Sequence, residues 1–406
     1  EETEEGEEEE EEAEGVGLAS DLSPHEQRAR DRRLLGAFNL KVIYQKGRTG
    51  FEEEKDFPVL INSVIAARYH VVEYLGSAAF SKALQCYDMQ EDKMVCIKVI
   101  KNNKDFFDQS LDEIKLLQYI NRHDPEAVQP VLRLLDYFYH KEHLFIVCEL
   151  LRDNLYEASK FNRESDNPRY FTLRRLRSVA RQCLEALRFI HGLSLVHCDL
   201  KPENILIRSY SRCEVKIIDF GSSCFTTDHL SSYVQSRSYR APEVILGMPY
   251  DQRIDIWSLG CILAELWTGL VLFQNDSVNS MLCRMVGVLG PFPPKALKRG
   301  RHSHKYFTPD GLLYERVRAP GSRAYVHTFM HPKMTSLKHR LGVDDDLFVS
   351  FVGSMLTLDP EQRPTAEQCL GHPWLTTDPY EGKLAPGEED ESAVDYVDPN
   401  LRGVAR

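Results

Sequence analysis

The sequence has no Cys-x-x-Cys pair, although it contains ten cysteines in 406 residues. That excludes a zinc ribbon, and a chain of this length is no small disulfide scaffold, so reduced thiols in a cytoplasmic or nuclear protein are expected. A basic segment followed by an apolar one is missing from the opening Glu-Glu-Thr, which reads as the start of a fragment of a longer protein. No long apolar run is free of charge. The nearest, Ile254 to Phe273, encloses Asp255 and Glu265. An acid at mid-helix costs roughly 2.5 to 3.5 kcal/mol on membrane insertion, so a buried core helix and no membrane partner are expected. A concentrated basic face is lacking as well. Acidic residues outnumber basic ones by 62 to 50, but eleven Glu fall within the first fourteen residues and residues 381–406 hold seven acids against three bases. The remainder carries only a small positive excess, which argues against a nucleic-acid partner. What is present is 42% hydrophobic residues, enough for packed cores, and this excludes a wholly disordered or fibrous chain.

The Glu-rich opening through about Gly17 has no apolar periodicity and is expected to be a solvated, disordered tail. Residues 24–35 read as a short charged helix and 38–45 (FNLKVIYQ) as a strand. From Tyr69 the pattern becomes five short strands in about 80 residues, with one helix, FFDQSLDEIKLLQYI, inserted after the third. Beyond Leu151 helix spacing dominates, as in LRRLRSVARQCLEALRFIHGL, and the proline-containing breaks mark helix ends and loops. A small β-rich lobe followed by a larger helical lobe makes an α+β protein, with no internal repeat.

The charged motifs suit phosphoryl transfer, which needs a triphosphate held, its charge neutralised and the attacking hydroxyl positioned. Lys98, in VCIK at the end of a strand, suits phosphate oxygens, and Glu113, fifteen residues later on the helix, suits an ion pair that orients it. In HCDLKPEN, Asp199 is placed to accept a hydroxyl proton, Lys201 to lie near the transferred phosphate and Asn204 to offer its side-chain oxygen to a metal. Asp219 of DFG follows the apolar run VKII, where a second Mg²⁺ ligand is expected. Each residue alone is ordinary; the ordered set is not.

This set, together with APE at 241–243, DIWSLG at 255–260 and Arg363, resembles the protein kinase family over roughly Tyr69 to Leu375. The resemblance implies the bilobal eukaryotic protein kinase fold, with ATP and Mg²⁺ as cofactors and protein substrates as partners of a monomeric enzyme. It implies an N-lobe at 69–148, a hinge at 149–153 and a C-lobe at 154–375 with an insert at about 274–345. Residues 18–68 are then an extension flanking the domain, and 376–406 a disordered acidic tail. Nucleotide contacts are implied for Gly76, Ser77, Phe80, Lys98, Glu113, Cys148, Glu149 and Leu151. Glu243 is implied to pair with Arg363, and Asp255 to anchor the catalytic loop from the buried helix 254–267.

Within kinases, Cys198 in place of the Arg of HRD, the extension DFGSSC and the segment SYVQSRSYRAPEVILG resemble the dual-specificity tyrosine-regulated (DYRK) family of the CMGC group. RTGFEE at 48–53, KNNKDFFDQSLDEIKLL and DYFYHKEHLFIVCELL resemble its plant and green-algal branch. DYRK resemblance makes Tyr233 an autophosphorylated activation-loop tyrosine, with Ser231 where many members carry an earlier Tyr, and Arg237 and Arg240 the arginines that clasp its phosphate. It also implies that Glu157, Glu203 and Glu265 face a basic residue upstream of a target Ser or Thr that is followed by Pro. Cys198 and Cys224 are implied to come within disulfide range, either as a bridge or as two buried free thiols. His302 and His304, set among Lys and Arg without carboxylates, read as solvated loop residues rather than metal ligands.

Two departures matter. The phosphate loop keeps only Gly76 of its three glycines, in Gly-Ser-Ala-Ala-Phe-Ser, and reads as an altered lid over the nucleotide. Cys198 carries no charge, so a loop phosphate must be read by Arg237 and Arg240 or not at all. An active Ser/Thr kinase that autophosphorylates Tyr233 and a pseudokinase scaffold are the two functional expectations. Retention of both metal ligands and the base favours the first.

Overall fold

The computed structural model describes residues 37–49, 56–165, 168–228, 231, 233–318 and 325–381. The expected tail at 1–17, the charged helix at 24–35 and the chain beyond 381 lie outside them.

The first part of the fold is a seven-stranded sheet. Its strands are β1 (Lys41–Ile43), β2 (Val64–Ile65), β3 (Tyr69–Ser77), β4 (Ser81–Asp88), β5 (Lys93–Ile100), β6 (Leu134–His140) and β7 (His143–Glu149), in the spatial order β1-β6-β7-β5-β4-β3-β2. The sequence of β5 shows why one face is core and the other is cleft. Val95, Ile97 and Val99 alternate into a cluster with Leu84, Cys86, Phe138, Phe145 and Val147, which leaves Cys96 and Lys98 on the opposite face. Phe138 stacks on Phe145 at 4.8 Å and on Tyr69 at 5.6 Å.

The expected extension is not wholly outside this lobe. Phe57 fills the same core and meets Phe145 edge-on at 5.1 Å, while β1 and β2 extend the sheet on both sides. The 38–45 strand shortens to three residues.

Between β5 and β6 runs the helix Lys104–His123, capped by Asn103, whose side chain accepts from the backbone N–H of Asp105 and Phe106. Ile114, Leu117 and Ile120, three residues apart, bury one stripe, and Glu113 shares that buried side.

The helical lobe is organised around two helices. Leu173–Gly192 buries Leu176, Val179, Ala180, Cys183, Leu184, Leu187 and Ile190. Arg253–Thr268 is buried from Ile254 through Trp267, which is why its sequence is apolar on every side apart from Asp255, Ser258 and Glu265. No helix among the described residues is long and apolar enough to cross a membrane. The 274–345 region holds the helices Val278–Leu289 and Pro294–Arg299 and a two-stranded ribbon, Tyr314–Arg318 with Tyr325–Phe329. His302 packs its ring against Gly247. Packing continues past 375: Trp374 Nε1 donates to Tyr380 Oη at 2.8 Å, and that hydroxyl donates to Asp345 Oδ2 at 2.8 Å. Tyr380 therefore belongs to the folded lobe rather than to a tail.

Candidate active site

The HCDLKPEN loop hangs from the buried helix. Asp255 accepts from the backbone N–H of His197 at 2.9 Å and of Cys198 at 3.1 Å, and His191 Nε2 lies 2.9 Å from the same carboxylate. Two oriented amides on a fully buried carboxylate hold a turn in which Cys198 takes φ +66°, a region costly for a residue with a Cβ. Asp199 follows. Its Oδ2 accepts from Lys201 Nζ at 2.7 Å, and its Oδ1 accepts from Ser236 N at 3.0 Å and Ser236 Oγ at 2.8 Å. Asn204 Nδ2 donates to the Asp199 carbonyl at 2.9 Å, which fixes the amide and leaves its oxygen on the other side.

Lys98 meets Glu113 across the sheet–helix junction with Nζ–O distances of 2.7 and 3.0 Å. Burial pulls the Lys98 ammonium down, but the carboxylates of Glu113 and Asp219 outweigh it and hold it above its ordinary value. Asp219 sits at φ +64°, and Gly221 makes room for it: a Cβ there would lie 3.3 Å from Asp219 Oδ1 and 3.8 Å from Glu113 Oε2. The Ile218 N–H donates to the Asn204 carbonyl at 2.9 Å, and His197 Nε2 is 3.0 Å from the Ile218 carbonyl. Lys98, Glu113, Asp219, Asn204 and Asp199 thus form one connected cleft wall.

Two nucleotide-contact expectations change in detail. Glu149 Oε1 is engaged by Lys216 Nζ at 2.6 Å and by the Arg133 N–H at 2.8 Å, so its carboxylate is taken up in bracing the end of β7. Gly76 takes φ +155°, which explains its retention, whereas the chain at Ala78 closes a tight turn with its N–H on the Ser81 carbonyl at 2.8 Å. Phe80, at the tip, lays its ring 5.0 Å from Lys98 Nζ. Ser77 ends β3, Cys148 lies on β7 opposite Cys96 of β5, and Leu151 comes two residues after the end of β7.

The activation segment is tied down at several points. Arg240 places its guanidinium 4.2 Å from the centre of the exposed Tyr233 ring and donates to the Val234 carbonyl at 2.8 Å and the Gln235 carbonyl at 2.7 Å. Arg240, and after it Arg237, hold the Tyr233 phenol below its usual pKa. Tyr250 Oη donates to the Ser231 carbonyl at 2.9 Å. Glu243 and Arg363 form a buried two-point pair at 2.5 and 2.9 Å. Glu265 accepts from Tyr239 Oη at 2.7 Å, and burial raises its carboxyl above the usual range with Glu203 adding to the effect. Glu157 lies exposed in the first turn of the helix Leu155–Glu164. Cys224 and Cys198 bring their sulfurs to 3.6 Å as free thiols, because the strand Cys224–Phe225 pairs with Leu195–Val196.

Sequence reasoning missed Gln235 and Ser236. Gln235, buried at φ +66°, donates its N–H to the Cys198 carbonyl at 2.8 Å and its amide to Ser258 Oγ at 2.8 Å and the Ile254 carbonyl at 2.9 Å. Both residues lie inside the segment that carried the family resemblance, but nothing in their chemistry singled them out. Lys216, which braces Glu149, was also unforeseen.

This fold and this cleft are those of a protein kinase, and residues 69–375 match the family model of the protein kinase domain. The chain is 38% identical over 328 residues to the DYRK-family kinase pom1 of Schizosaccharomyces pombe, covering 80% of this chain and 29% of that protein. It is 37% identical over 349 residues to the dual specificity tyrosine-phosphorylation-regulated kinase mbk-2 of Caenorhabditis elegans, covering 82% and 42%. With the human dual specificity tyrosine-phosphorylation-regulated kinase 4 it shares 36% over 362 residues, covering 87% and 68%. The chain belongs to the DYRK family of protein kinases, and it spans less than half the length of the first two relatives.

Proposed function

We propose that this chain is an active kinase that transfers the γ-phosphoryl group of ATP to Ser or Thr of protein substrates and to its own Tyr233. The observation that carries the reading is the connected wall of Lys98, Glu113, Asp219, Asn204 and Asp199, because a scaffold has no physical need for all five.

Lys98, held by Glu113, grips phosphate oxygens. The Asp219 carboxylate and the Asn204 amide oxygen are hard oxygen donors on one side of the cleft, a set that fits Mg²⁺, which takes one or two protein oxygens and completes its shell with phosphate and water. Bound there, the ion supplies neutralisation of phosphate charge. Asp199 Oδ1, oriented by the Ser236 hydrogen bonds, accepts the proton of the attacking hydroxyl, while Lys201 stabilises the charge on the transferred group.

Substrate preference is part of the proposal. Arg240 already engages the Gln235 carbonyl, so a residue after the target gains no partner there for its N–H, and Pro, which has none, loses nothing. Glu203 and Glu265 share one electrostatic neighbourhood beside Tyr239, which suits a basic residue upstream of the target. Glu157 is the third acid assigned to that role. The Phe80 ring over Lys98 and the loss of two loop glycines favour a second reading, a pseudokinase scaffold with weakened ATP binding. A thermal-shift measurement with Mg-ATP and a radiolabel assay on a generic basic protein separate the two. Lys98→Arg, Asp199→Asn and Asp219→Asn each lower transfer by about a hundredfold or more with an unchanged melting curve. Turnover above about a tenth of the starting rate in two of the three would end this assignment of roles.

A further inference from the structure

Cys96 and Cys148 occupy directly opposed positions on the adjacent antiparallel strands β5 and β7. Alternation puts Cys96 on the same face of β5 as Lys98, two residues on, and Cys148 immediately precedes the hinge residue Glu149. Opposed residues of such a pair have Cα atoms about 4.5 to 5.5 Å apart and Cβ atoms at a similar separation, so two thiols there are within reach of a single bridging atom. Lys98 and Glu113 are electrostatic neighbours of Cys148, which places the pair in the ceiling of the cleft assigned above to the nucleotide.

We propose that Cys96 and Cys148 form a two-thiol site, opening into the nucleotide cleft, that captures trivalent arsenic compounds and excludes ATP while occupied. The location in a nucleotide cleft rests on the proposed kinase reading; the thiol pairing does not. In the capture step an arsenic-bound oxygen leaves as water with the two thiol protons, and two As–S bonds replace the two S–H bonds. Nothing is oxidised or reduced.

The chemistry of these thiols selects this class of reagent over peroxide. Burial pushes Cys96 up to about 11 and raises Cys148 well above the usual thiol value, so thiolate, the species that attacks peroxide, is scarce at neutral pH. Arsenic exchange releases the proton as part of water and works from the neutral thiol. The second thiol closes the ring at high effective concentration, which makes the adduct resistant to competing monothiols.

The test uses the whole chain carrying Cys224→Ser, which removes the other close thiol pair, Cys198–Cys224, and phenylarsine oxide as the probe. Intact mass after a wash in excess 2-mercaptoethanol should show one retained adduct, released by dithiothreitol and mapped by peptide mass spectrometry to Cys96 and Cys148. Cys96→Ala and Cys148→Ala should each lose the monothiol-resistant adduct, with melting curves confirming that they fold. A non-hydrolysable ATP analogue with Mg²⁺ at ten times its Kd should slow capture about tenfold. An adduct mapped instead to Cys183 and Cys213, buried thiols that neighbour one another, or one retained in both alanine variants, overturns the proposal, as does undiminished capture under saturating analogue. Absence of any nucleotide-induced melting shift would instead count against the kinase reading, and the mapping and alanine arms would still decide the thiol pair.

Discussion

Ser236 Oγ donates to Asp199 Oδ1 at 2.8 Å, and the Ser236 N–H donates to the same oxygen at 3.0 Å. One residue of the loop after DFG therefore sets the orientation of the carboxylate proposed as proton acceptor. Ser236→Ala removes the hydroxyl from a charged acceptor, an interaction worth roughly 1.5 to 3 kcal/mol, so kcat should fall about tenfold to a hundredfold with KM for ATP little changed. Ser236→Thr, which keeps the hydroxyl, should restore most of it. Steady-state kinetics on a basic Ser-Pro peptide provides the measurement, and an alanine variant at full rate would remove Ser236 from the mechanism.

Tyr233 should carry phosphate in protein made in bacteria and lack it in the Asp199→Asn form. Its phenol already lies between Arg240 and Arg237, and a phosphate would add about −1.5 to −2 charge in front of them. Phosphosite mapping by mass spectrometry decides the point: Tyr233 phosphate in the inactive form would mean another enzyme installs it.

Mild peroxide should link Cys198 to Cys224. The hydrogen bond from Cys198 lowers the Cys224 thiol below its ordinary value, so Cys224 is the nucleophile. Its thiolate attacks peroxide, expelling hydroxide and leaving a sulfenic acid; the Cys198 thiol then displaces water and the S–S bond forms. Linkage should speed up as pH rises and level off at a lower pH than for an ordinary cysteine. Non-reducing peptide maps over a pH series, with activity before and after reductant, test this; no linked peptide at any pH would rule it out.

Glu243→Gln should destabilise the fold by about 3 to 5 kcal/mol, because it leaves the fully buried Arg363 without its counter-charge. Glu243→Leu combined with Arg363→Met should recover a large part of that loss. Urea unfolding midpoints at constant slope would show it.

The strand run from Tyr69, the inserted helix and the buried 254–267 helix were legible because hydrophobic period and length distinguish them in any context. The five polar residues of the cleft, four of them charged, were legible for a different reason: their chemistry has few uses in that order and spacing. Residues before 69 were read as a flanking extension, yet Phe57 is part of the core, because a single aromatic in a polar stretch has no period that reveals where it docks. Tyr380 escaped the same way, since its place depends on Trp374 and Asp345, which only the fold brings to it.

By itself, then, the sequence determined the family, the order of the elements and the set of polar residues that the fold gathers in the cleft, all carried by local pattern. Tertiary structure alone decided that Glu149 braces the end of β7 through Lys216, that Ser236 orients Asp199, that Arg240 holds both Tyr233 and the Gln235 carbonyl, and that Cys96 faces Cys148. Except for the Arg240 contacts, which form where one segment folds back on itself, each joins residues far apart in the chain or in different strands. Its existence depends on register and on which backbone polar groups remain to be satisfied after folding, quantities that no local pattern encodes.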